Sequence, residues 1–514
     1  MLCCCHVCIA AAGIKIQNFF HAIIDKELIE QEIPPKGSNL PGKFIDFAEP
    51  MVVFEDTAES KLYVRSFYKT TYEKMKEGTS KSEHGRLSYI TITGSPGIGK
   101  SHFGIYCLIQ RLKEGHDVVY CYESNLSANY LWFNQSSKTV FEMESMPTNA
   151  KHSDIWQLVD GDFSPGKSST NPTIHFVSYG HQSNSFEKNA LHRTLYFAPF
   201  SLQEMQALNT INENIQWSEK ELIERYNFMG GIPRSIFRNR DEYSSGSLYV
   251  EAVCKTFVGR KSDGKILFDG GPLGNLDGPK VVLIYPKNEK DPFDSDYFTT
   301  NFASPMIRKK MMVLCASLHN PDALIEFALH NNGPVAGCIF EFYVHSIIKE
   351  NKLKGFKFRR LQSSNSNEHV DNNWGLDALR IQQFDGYGIN FKIVPDTYYY
   401  PSIHTFPAID SFYFNSKENI LYLFQVTITG SRKVKIHLVE DLLRQFESNI
   451  PSEKSSFDCK FVIVCREDNF TDYPPVNWSS DEVFPQIALK DLVKNQFVLC
   501  IPSQPIKDVK INLI

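Results

Sequence analysis

The residues with the clearest chemistry lie in the octapeptide GSPGIGKS, between a β-branched, apolar stretch and an amphipathic one. It fits the pattern G-x-x-x-x-G-K-[ST], whose glycines let successive backbone N–H groups point at phosphate oxygens. In that pattern Lys100 reaches the β- and γ-phosphates, Ser101 ligates Mg²⁺, and the next helix presents its positive end to the anion. We therefore predict that ATP or GTP binds here with Mg²⁺, through Gly94, Ser95, Pro96, Gly97, Ile98, Gly99, Lys100 and Ser101.

Such a site needs a carboxylate at the end of a neighbouring strand. The stretch IWQLVD supplies Asp160, and Asp162 is its rival. We predict that Asp160 holds the Mg²⁺ through water. Many ATPases of this type carry a glutamate directly after that aspartate to activate water, whereas this chain has Gly161. The sequence therefore names no catalytic base, and we expect slow turnover or binding with little hydrolysis.

Two further polar residues are candidates for contacts with the nucleotide. Ser178 lies in the strand-like stretch TIHFVSYG, at a position where many ATPases carry a polar residue that faces the γ-phosphate. Arg234 ends the stretch GGIPR and would stabilise charge on the phosphates if a helical lid brings it there. The alternative for Arg234 is a helix-capping or surface charge, and the sequence leaves both open.

A second constellation of polar residues lies in the C-terminal part of the chain. Glu341 sits in the apolar stretch CIFEFYVH, and Asp410 follows the strand-like FPAI. Gln425 and Thr427 alternate with apolar residues, so both project from one face of a strand. This layout is that of a restriction-endonuclease-like core, in which paired carboxylates bind Mg²⁺ at the scissile phosphate and a lysine stabilises charge.

The strand departs from that pattern, which ends in Asp or Glu, any residue, and Lys. Gln425 offers only a neutral oxygen to Mg²⁺, and Lys433 or Lys435 would have to replace the missing lysine in space. The candidate catalytic set is Asp410, Gln425, Thr427, Lys433, Lys435 and Glu341, with Asp410 as the metal ligand. The alternative is a half-buried strand with ordinary polar alternation.

The elements that must position these residues follow from the hydrophobic periodicity. From residue 87, buried strand-like stretches alternate with amphipathic helical ones, which indicates a parallel sheet covered by helices on both faces. From about residue 305, two helical stretches precede a strand pair, a helix and a final strand. We predict an α/β protein with four parts: an N-terminal region at 1–85, a nucleotide-binding domain at 86–240, a lid or linker at 241–320, and a second α/β domain at 321–514.

Composition limits the function further. The 514 residues carry a net charge of −5, so no global basic field attracts nucleic acid and any such contact needs a local patch. Eight of the 12 cysteines are scattered singly, which is typical of free thiols in a reducing compartment. The other four form the cluster CCCHVC at the N-terminus, a weak zinc candidate without a second ligand pair nearby. No stretch is long and apolar enough to predict a transmembrane helix, and we expect no secretory signal.

The order of the motifs resembles that of the Crinkler effectors and the related retrotransposon hot spot proteins. After the phosphate loop come IWQLVDGD, GGIPR, FAS, GCIFEFYVH, AIDSFYF and LFQVT, over roughly residues 88 to 450. The resemblance implies an AAA+- or STAND-like P-loop NTPase module followed by a diverged restriction-endonuclease-like module. Gln-x-Thr in place of Glu-x-Lys is common in such members. A His-Pro pair often follows there, whereas this chain has Arg432 and Lys433.

The resemblance also implies a cellular context. It implies secretion by a non-classical route into a host cell, with action in the host cytoplasm or nucleus. Residues 1–85 would then be a divergent or truncated form of the small ubiquitin-like domain that directs translocation in many Crinklers. The basic clusters IRKKMM and FKFRR give only feeble support for nuclear import.

Three hypotheses of function follow. In the first, a Mg²⁺-dependent NTPase gates a C-terminal module that binds DNA, with Arg432, Lys433, Lys435 and the run KLKGFKFRRL as the phosphate grip, and that cleaves phosphodiester bonds. In the second, the protein is a nucleotide-dependent switch whose inactive nuclease-like scaffold engages host proteins. The third is a helicase-like or chaperone-like ATPase. The sequence leaves open ATP versus GTP, DNA versus RNA, and monomer versus homo-oligomer.

Overall fold

The structure is a computed structural model of the chain. The part of the chain that it describes comprises residues 10–11, 13–25, 28, 30–33, 42–47, 60–80, 87–124, 127–144, 155–161, 171–178, 191–212, 214–237, 250–251, 254, 281–286, 292, 298–318, 321–331, 334–350, 352–353, 356–361, 370–374, 376, 380–384, 389, 391–401, 409–431, 433–449, 457–479, 495–506 and 509. The chain divides into two compact units. The first comprises Met1–Lys255 and Pro272–Ile307, and the second Thr256–Gly271 and Arg308–Ile514.

The first unit combines strands and helices from both sides of the predicted boundary at residue 85. Its described strands are β1 (Ala10–Ala11), β2 (Glu30–Glu32), β3 (Lys43–Asp46), β4 (Lys61–Val64), β5 (Tyr89–Thr93), β6 (Val118–Ser124), β7 (Ser127–Asn134), β8 (Thr139–Met143), β9 (Trp156–Asp160), β10 (Thr173–Phe176), β11 (His192–Tyr196), β12 (Val282–Pro286) and β13 (Phe298–Phe302). Its helices include α1 (Ile14–Ile24), α2 (Tyr68–Thr79), α3 (Lys100–Lys113), α4 (Leu202–Ile211), α5 (Glu219–Met229) and α6 (Pro233–Phe237).

The main sheet of the first unit has the strand order β1-β8-β7-β6-β9-β10-β5-β11. Its strands β6, β9, β10, β5 and β11 are parallel to their neighbours in that series. Strands β7, β8 and β1 extend the sheet in antiparallel pairs beyond β6. The predicted α/β class is confirmed, but the sheet is mixed rather than wholly parallel, because a hairpin directly follows β6 instead of a crossover helix.

Strand β5 and helix α3 hold the predicted phosphate loop, the octapeptide GSPGIGKS at residues 94–101. The β5 sequence YITIT is β-branched and aromatic and lies buried along its whole length, as expected for a central strand covered on both faces. Helix α3 begins at Lys100 and buries a broad apolar face that includes Phe103, Ile105 and Leu108. This local geometry leaves the loop at the carboxyl end of a parallel strand, the edge where α/β sheets bind ligands.

The N-terminal part of the chain belongs to the same hydrophobic core. Phe20 and Ile23 of α1, Ile45 of β3 and Leu62 of β4 are buried in one cluster with the side chains of β5 and α3. Strands β2, β3 and β4 form a separate three-stranded antiparallel sheet. The stretches 1–85 and 86–240, which the sequence divides into two regions, thus share one compact unit and one core.

The second unit contains the remaining described elements, and the division between the units falls within the helix α7. Its helices are α7 (Pro305–Leu318), α8 (Pro321–His330), α9 (Pro334–Lys349), α10 (Ile436–Asn449) and α11 (Glu467–Phe470). Its strands are β14 (Phe356–Arg360), β15 (Val370–Trp374), β16 (Arg380–Phe384), β17 (Thr397–Pro401), β18 (Ser411–Asn415), β19 (Ile420–Thr427), β20 (Lys433–Lys435), β21 (Asp458–Arg466), β22 (Asn477–Ser479) and β23 (Gln496–Ile501).

The main sheet of the second unit is also mixed. Its order is β15-β14-β23-β21-β19-β18-β17-β16, and β19, β21 and β23 are parallel in its centre. Helix α10 places Val439, Leu442 and Phe446 in a core with β19 and β21. On α9, Gly337 lies against the side chain of Ile428, at the end of β19. The central strand β19 therefore carries Gln425 and Thr427 in the middle of a covered sheet.

Two sequence expectations, on the scattered cysteines and on membrane-spanning helices, can be compared with the described residues. Seven scattered cysteines are buried thiols that form no disulfide within the described part of the chain, as predicted: Cys107, Cys121, Cys254, Cys338, Cys459, Cys465 and Cys500. The cysteine cluster at the N-terminus lies outside the described residues. Among the described helices, we find none that combines the length and apolar character needed to cross a bilayer.

Candidate functional site

The side chain of Lys100 is hydrogen-bonded to the backbone of the predicted phosphate loop. The ammonium of Lys100, which is buried, donates to the carbonyl oxygens of Gly94 at 3.2 Å and of Ser95 at 2.9 Å. Gly97 has a φ of +77°, and a Cβ at this position would lie 3.0 Å from the Cβ of Arg234. The loop therefore requires glycine at Gly97, both for its backbone conformation and for the close approach of Arg234.

Ser101 and Asp160 meet at the edge of the sheet. The Ser101 hydroxyl donates to Oδ1 of Asp160 at 2.8 Å, and the hydroxyl of the buried Tyr120 donates to Oδ2 at 3.1 Å. Burial raises the pKa of Asp160 above its ordinary value, while the hydrogen bonds from Ser101 and Tyr120 and the charge of Lys100 oppose that change. These oxygens suit Mg²⁺, which prefers hydroxyl, carboxylate and phosphate ligands. The rival Asp162 lies outside the described residues.

A buried histidine holds the backbone directly after Asp160. Nε2 of His175 lies 2.7 Å from the carbonyl oxygen of Gly161, and its Nδ1 lies 2.8 Å from the hydroxyl of Tyr89. The Gly161 amide donates to the carbonyl oxygen of Phe176 at 3.3 Å, on the neighbouring strand β10. The position where many ATPases carry a glutamate is thus a glycine whose peptide groups are bound to β10.

The other residues predicted to contact the nucleotide are Arg234, Ser178 and Ser95, and they differ in their exposure and in their contacts. Arg234 is exposed, and its side-chain stem lies against Gly97. Ser178 follows β10 at the same sheet edge as Asp160 and is half-buried. Ser95 has a structural role, because its buried hydroxyl oxygen accepts a hydrogen bond from the amide of Ile284 on β12 at 3.2 Å.

Two of the sequence motifs, GGIPR and FAS, are in direct contact. A Cβ on Gly230 would lie 1.8 Å from the carbonyl oxygen of Ala303, and the Ser304 hydroxyl donates to the carbonyl of Phe228 at 2.8 Å. The Gly231 carbonyl accepts from the amide of Phe200 at 2.9 Å. This close packing fixes the start of α6, the helix that carries Arg234 beside the loop.

In the second unit, Asp410 is bound by two donors of the neighbouring strand. Its Oδ2 accepts from the side-chain amide of Gln425 and, at 2.6 Å, from the backbone amide of Val426. Its own amide donates to the carbonyl of Phe424 at 2.8 Å. The structure therefore brings the predicted pair Asp410 and Gln425 together, with the amide nitrogen of Gln425 facing the carboxylate.

Glu341 lies on α9 and is paired with a residue that the sequence analysis placed in a basic cluster. Nη2 of Arg308 lies 2.5 Å from Oε2 of Glu341, and both side chains are largely buried. Nε2 of His345, one turn further along α9, lies 3.8 Å from the other oxygen of Glu341. Nδ1 of His345 is 2.7 Å from the hydroxyl of Tyr398, which donates to Ser411 at 2.7 Å. This buried chain of polar groups ends at the residue next to Asp410.

The remaining predicted residues of the second unit are Thr427, Lys433, Lys435 and Arg432. The hydroxyl of Thr427 lies 2.8 Å from that of Thr429, in the turn that ends β19. Lys433 and Lys435 lie on β20, which pairs with β22 in a separate two-stranded sheet, and their side chains are not among the described ones. Arg432 lies outside the described residues.

The basic stretch FKFRR contributes less exposed charge than its sequence suggests. Arg359 is buried, and its guanidinium donates to the carbonyl oxygens of Phe470, Thr471 and Tyr473. Lys357 forms an exposed ion pair with Glu467 at 3.2 Å. The Arg359 side chain is therefore a structural contact within the second unit rather than a surface charge for a phosphate backbone.

Sequence reasoning missed Tyr120, Arg308 and His345. Tyr120 lies on β6, and only the pairing of β6 with β9 directs its hydroxyl to Asp160. His345 stands four residues after Glu341, so helical spacing could have indicated that they share a face. Nothing local distinguishes Arg308 from the lysines that follow it.

Comparisons with known proteins add little. No family model and no curated protein matches this chain. Among solved structures, the chain is similar to the RuvB Holliday junction branch migration motor of Thermotoga maritima, at 11% sequence identity and a TM-score of 0.23, over 59% of this chain and 91% of that chain. A TM-score this low does not support a conclusion about the fold or the function of this chain.

Proposed function

We propose that the first unit binds a nucleoside triphosphate with Mg²⁺ and acts as a switch for the second unit. The observation that carries the proposal is the 2.8 Å contact between Ser101 and Asp160, which are 59 residues apart. One follows the phosphate-binding lysine on α3, and the other ends a parallel strand two positions away from β5 in the sheet. Both residues lie at the carboxyl edge of the parallel series β11-β5-β10-β9-β6, where open α/β sheets bind their ligands.

In this proposal each residue of the loop has a distinct task. Lys100 exchanges its two carbonyl partners for phosphate oxygens, because a charge-assisted bond to phosphate is stronger than one to a neutral carbonyl. Ser101 and Asp160 hold Mg²⁺, which neutralises charge on the β- and γ-phosphates when it is bound. Arg234, beside Gly97, adds a second positive charge at the phosphates.

The same site supports slow turnover. Gly161 has no side chain to activate water, and its peptide groups are bound by His175 and Phe176. His175 has partners within hydrogen-bond distance of both ring nitrogens. A protein that binds a triphosphate and hydrolyses it slowly persists in its bound state, as a switch requires.

For the second unit we propose a binding role, in line with the second of our hypotheses. The ion pair of Glu341 with Arg308 and the donation from Gln425 to Asp410 favour it over phosphodiester cleavage. Membership of the Crinkler family, delivery into a host cell, and contact with DNA or host proteins stay predictions that rest on the order of the motifs.

The pH dependence of binding tests the role of Asp160. Only its ionised form attracts Mg²⁺, and its raised pKa means that protonation begins at a higher pH than for an ordinary carboxyl group. We expect the affinity for the Mg²⁺–nucleotide complex to fall as the pH is lowered through that raised pKa, by up to about tenfold per pH unit below it.

Fluorescent nucleotide titrations at several pH values, with and without Mg²⁺, measure this effect. The matched variant Asp160→Asn cannot titrate, so its affinity should be weaker at high pH and should depend less on pH. The phosphates of the nucleotide titrate in both proteins, and the difference between the two curves therefore isolates Asp160. Identical pH profiles for the two proteins would remove Asp160 from the proposed site.

A further inference from the structure

Glu341, a predicted catalytic carboxylate of the second unit, is already paired with the cationic side chain of Arg308. Arg308 and Glu341 form an ion pair at 2.5 Å with side-chain exposures of 14% and 10%. Burial by itself lowers the pKa of Arg308, but the neighbouring Cys338, Glu341 and Asp410 raise it above its ordinary value. The guanidinium is thus paired with Glu341, and the charge of Asp410, the predicted metal ligand of this unit, also acts on it.

The hydrogen bonds of Asp410 also indicate that this carboxylate does not bind a divalent cation. Its Oδ2 accepts from two N–H donors on β19, the side-chain amide of Gln425 and the backbone amide of Val426. A divalent cation is instead surrounded by oxygen atoms, and donors that face a carboxylate oxygen compete with it. The amide of Gln425 supplies a hydrogen here, at the position where the nuclease pattern requires a carboxylate.

We infer that Arg308 is the resident cation of this cluster, and that Glu341, which is paired with Arg308, and Asp410, which accepts from Gln425 and Val426, are not ligands of a divalent metal. A metal ion that took this place would displace the guanidinium and leave a buried charge without its partner. Hydrogen bonds from His345 through Tyr398 to Ser411 connect α9, the helix that carries Glu341, with the start of β18. The cluster is therefore an internally paired, polar part of the proposed binding module rather than a metal site.

The test uses Mn²⁺ and the full chain without nucleotide. The background variant Asp160→Asn silences the proposed site of the first unit, so failure of the nucleotide proposal leaves this test unaffected. We expect no saturable Mn²⁺ binding, by the electron paramagnetic resonance signal of free Mn²⁺, when Arg308 is present. Arg308→Met should gain about one equivalent of Mn²⁺, Arg308→Lys should gain none, and adding Asp410→Asn to Arg308→Met should abolish the gain.

Two results would overturn the inference. One is saturable Mn²⁺ binding by the chain with Arg308 that disappears in Asp410→Asn, or Mn²⁺-dependent cleavage of plasmid DNA that does so. The other is a folded Arg308→Met variant that gains no Mn²⁺. If Arg308→Met does not fold, the double variant Arg308→Met with Glu341→Gln decides instead. It should recover a cooperative thermal unfolding transition, because it removes both charges of the pair, and a double variant that also stays unfolded would contradict the pairing.

Discussion

Replacing Lys100 with alanine is expected to weaken the binding of a nucleoside triphosphate by about 100-fold or more. The magnitude corresponds to the loss of two charge-assisted hydrogen bonds at about 1.5 kcal/mol each. The ammonium of Lys100 is buried and already bound to two carbonyl oxygens of the loop, so no large rearrangement is needed for it to reach a phosphate. Titration with a fluorescent nucleotide analogue measures the change.

Lys69→Ala is the matched control for this variant. Lys69 is exposed on α2, and it follows Tyr68, whose hydroxyl donates to the carbonyl of Gly99 in the loop at 3.3 Å. Both variants remove one positive charge from the same unit, but only Lys100 belongs to the loop. Equal losses of affinity in the two variants would indicate a general charge effect and would contradict a specific phosphate contact.

Replacing Gly230 with alanine is expected to destabilise the first unit by about 4 kcal/mol or more. Its Cβ would lie 1.8 Å from the carbonyl oxygen of Ala303, a backbone atom of the segment directly after β13, whose amide donates to the carbonyl of Val281. The residue also has a φ of +72°, where alanine is strained. The first transition of a urea unfolding curve, followed by tryptophan fluorescence, measures the loss.

Gly115→Ala separates the strain of the backbone from the collision. Gly115 has a φ of +83°, but a Cβ there meets nothing within 4 Å. We expect this variant to lose only about 1–2 kcal/mol, the cost of the left-handed conformation itself. If Gly230→Ala were no less stable than Gly115→Ala, the close packing of GGIPR on FAS would be wrong.

The sequence predicts those features that local patterns determine. Lys100, Ser101 and Asp160 were expected together, because a phosphate loop after one buried strand and an aspartate at the end of another meet at one sheet edge. Helices α4 and α5 begin at the capping boxes of Ser201 and Ser218, which are local signals of the same kind.

Features that depend on distant partners were missed. The hairpin of β7 and β8 turns at residues 135–138 without a glycine; Asn134 binds Ser137, and Lys138 has a φ of +52°. No sequence signal of a tight hairpin turn is present there. Similarly, the predicted boundary at residue 85 could not show that Phe20 and Ile45 share a core with β5.

Arg308 illustrates the same limit for the candidate site. Within IRKKMM it is one of three consecutive basic residues, and a charge cluster normally predicts an exposed surface. Only the folded chain brings it within 2.5 Å of Glu341, 33 residues away. The partner of a buried charge is set by tertiary packing, so residue types and local spacing could indicate Glu341 but not the cation that pairs with it.

Isothermal titration calorimetry of the native chain with ATP and with GTP, in the presence and absence of Mg²⁺, tests the central claim most directly. The account predicts saturable heat with one nucleotide per chain for at least one of the two, with tighter binding when Mg²⁺ is present. The absence of heat for both triphosphates with Mg²⁺, from a chain whose folded state is verified by circular dichroism, would contradict it.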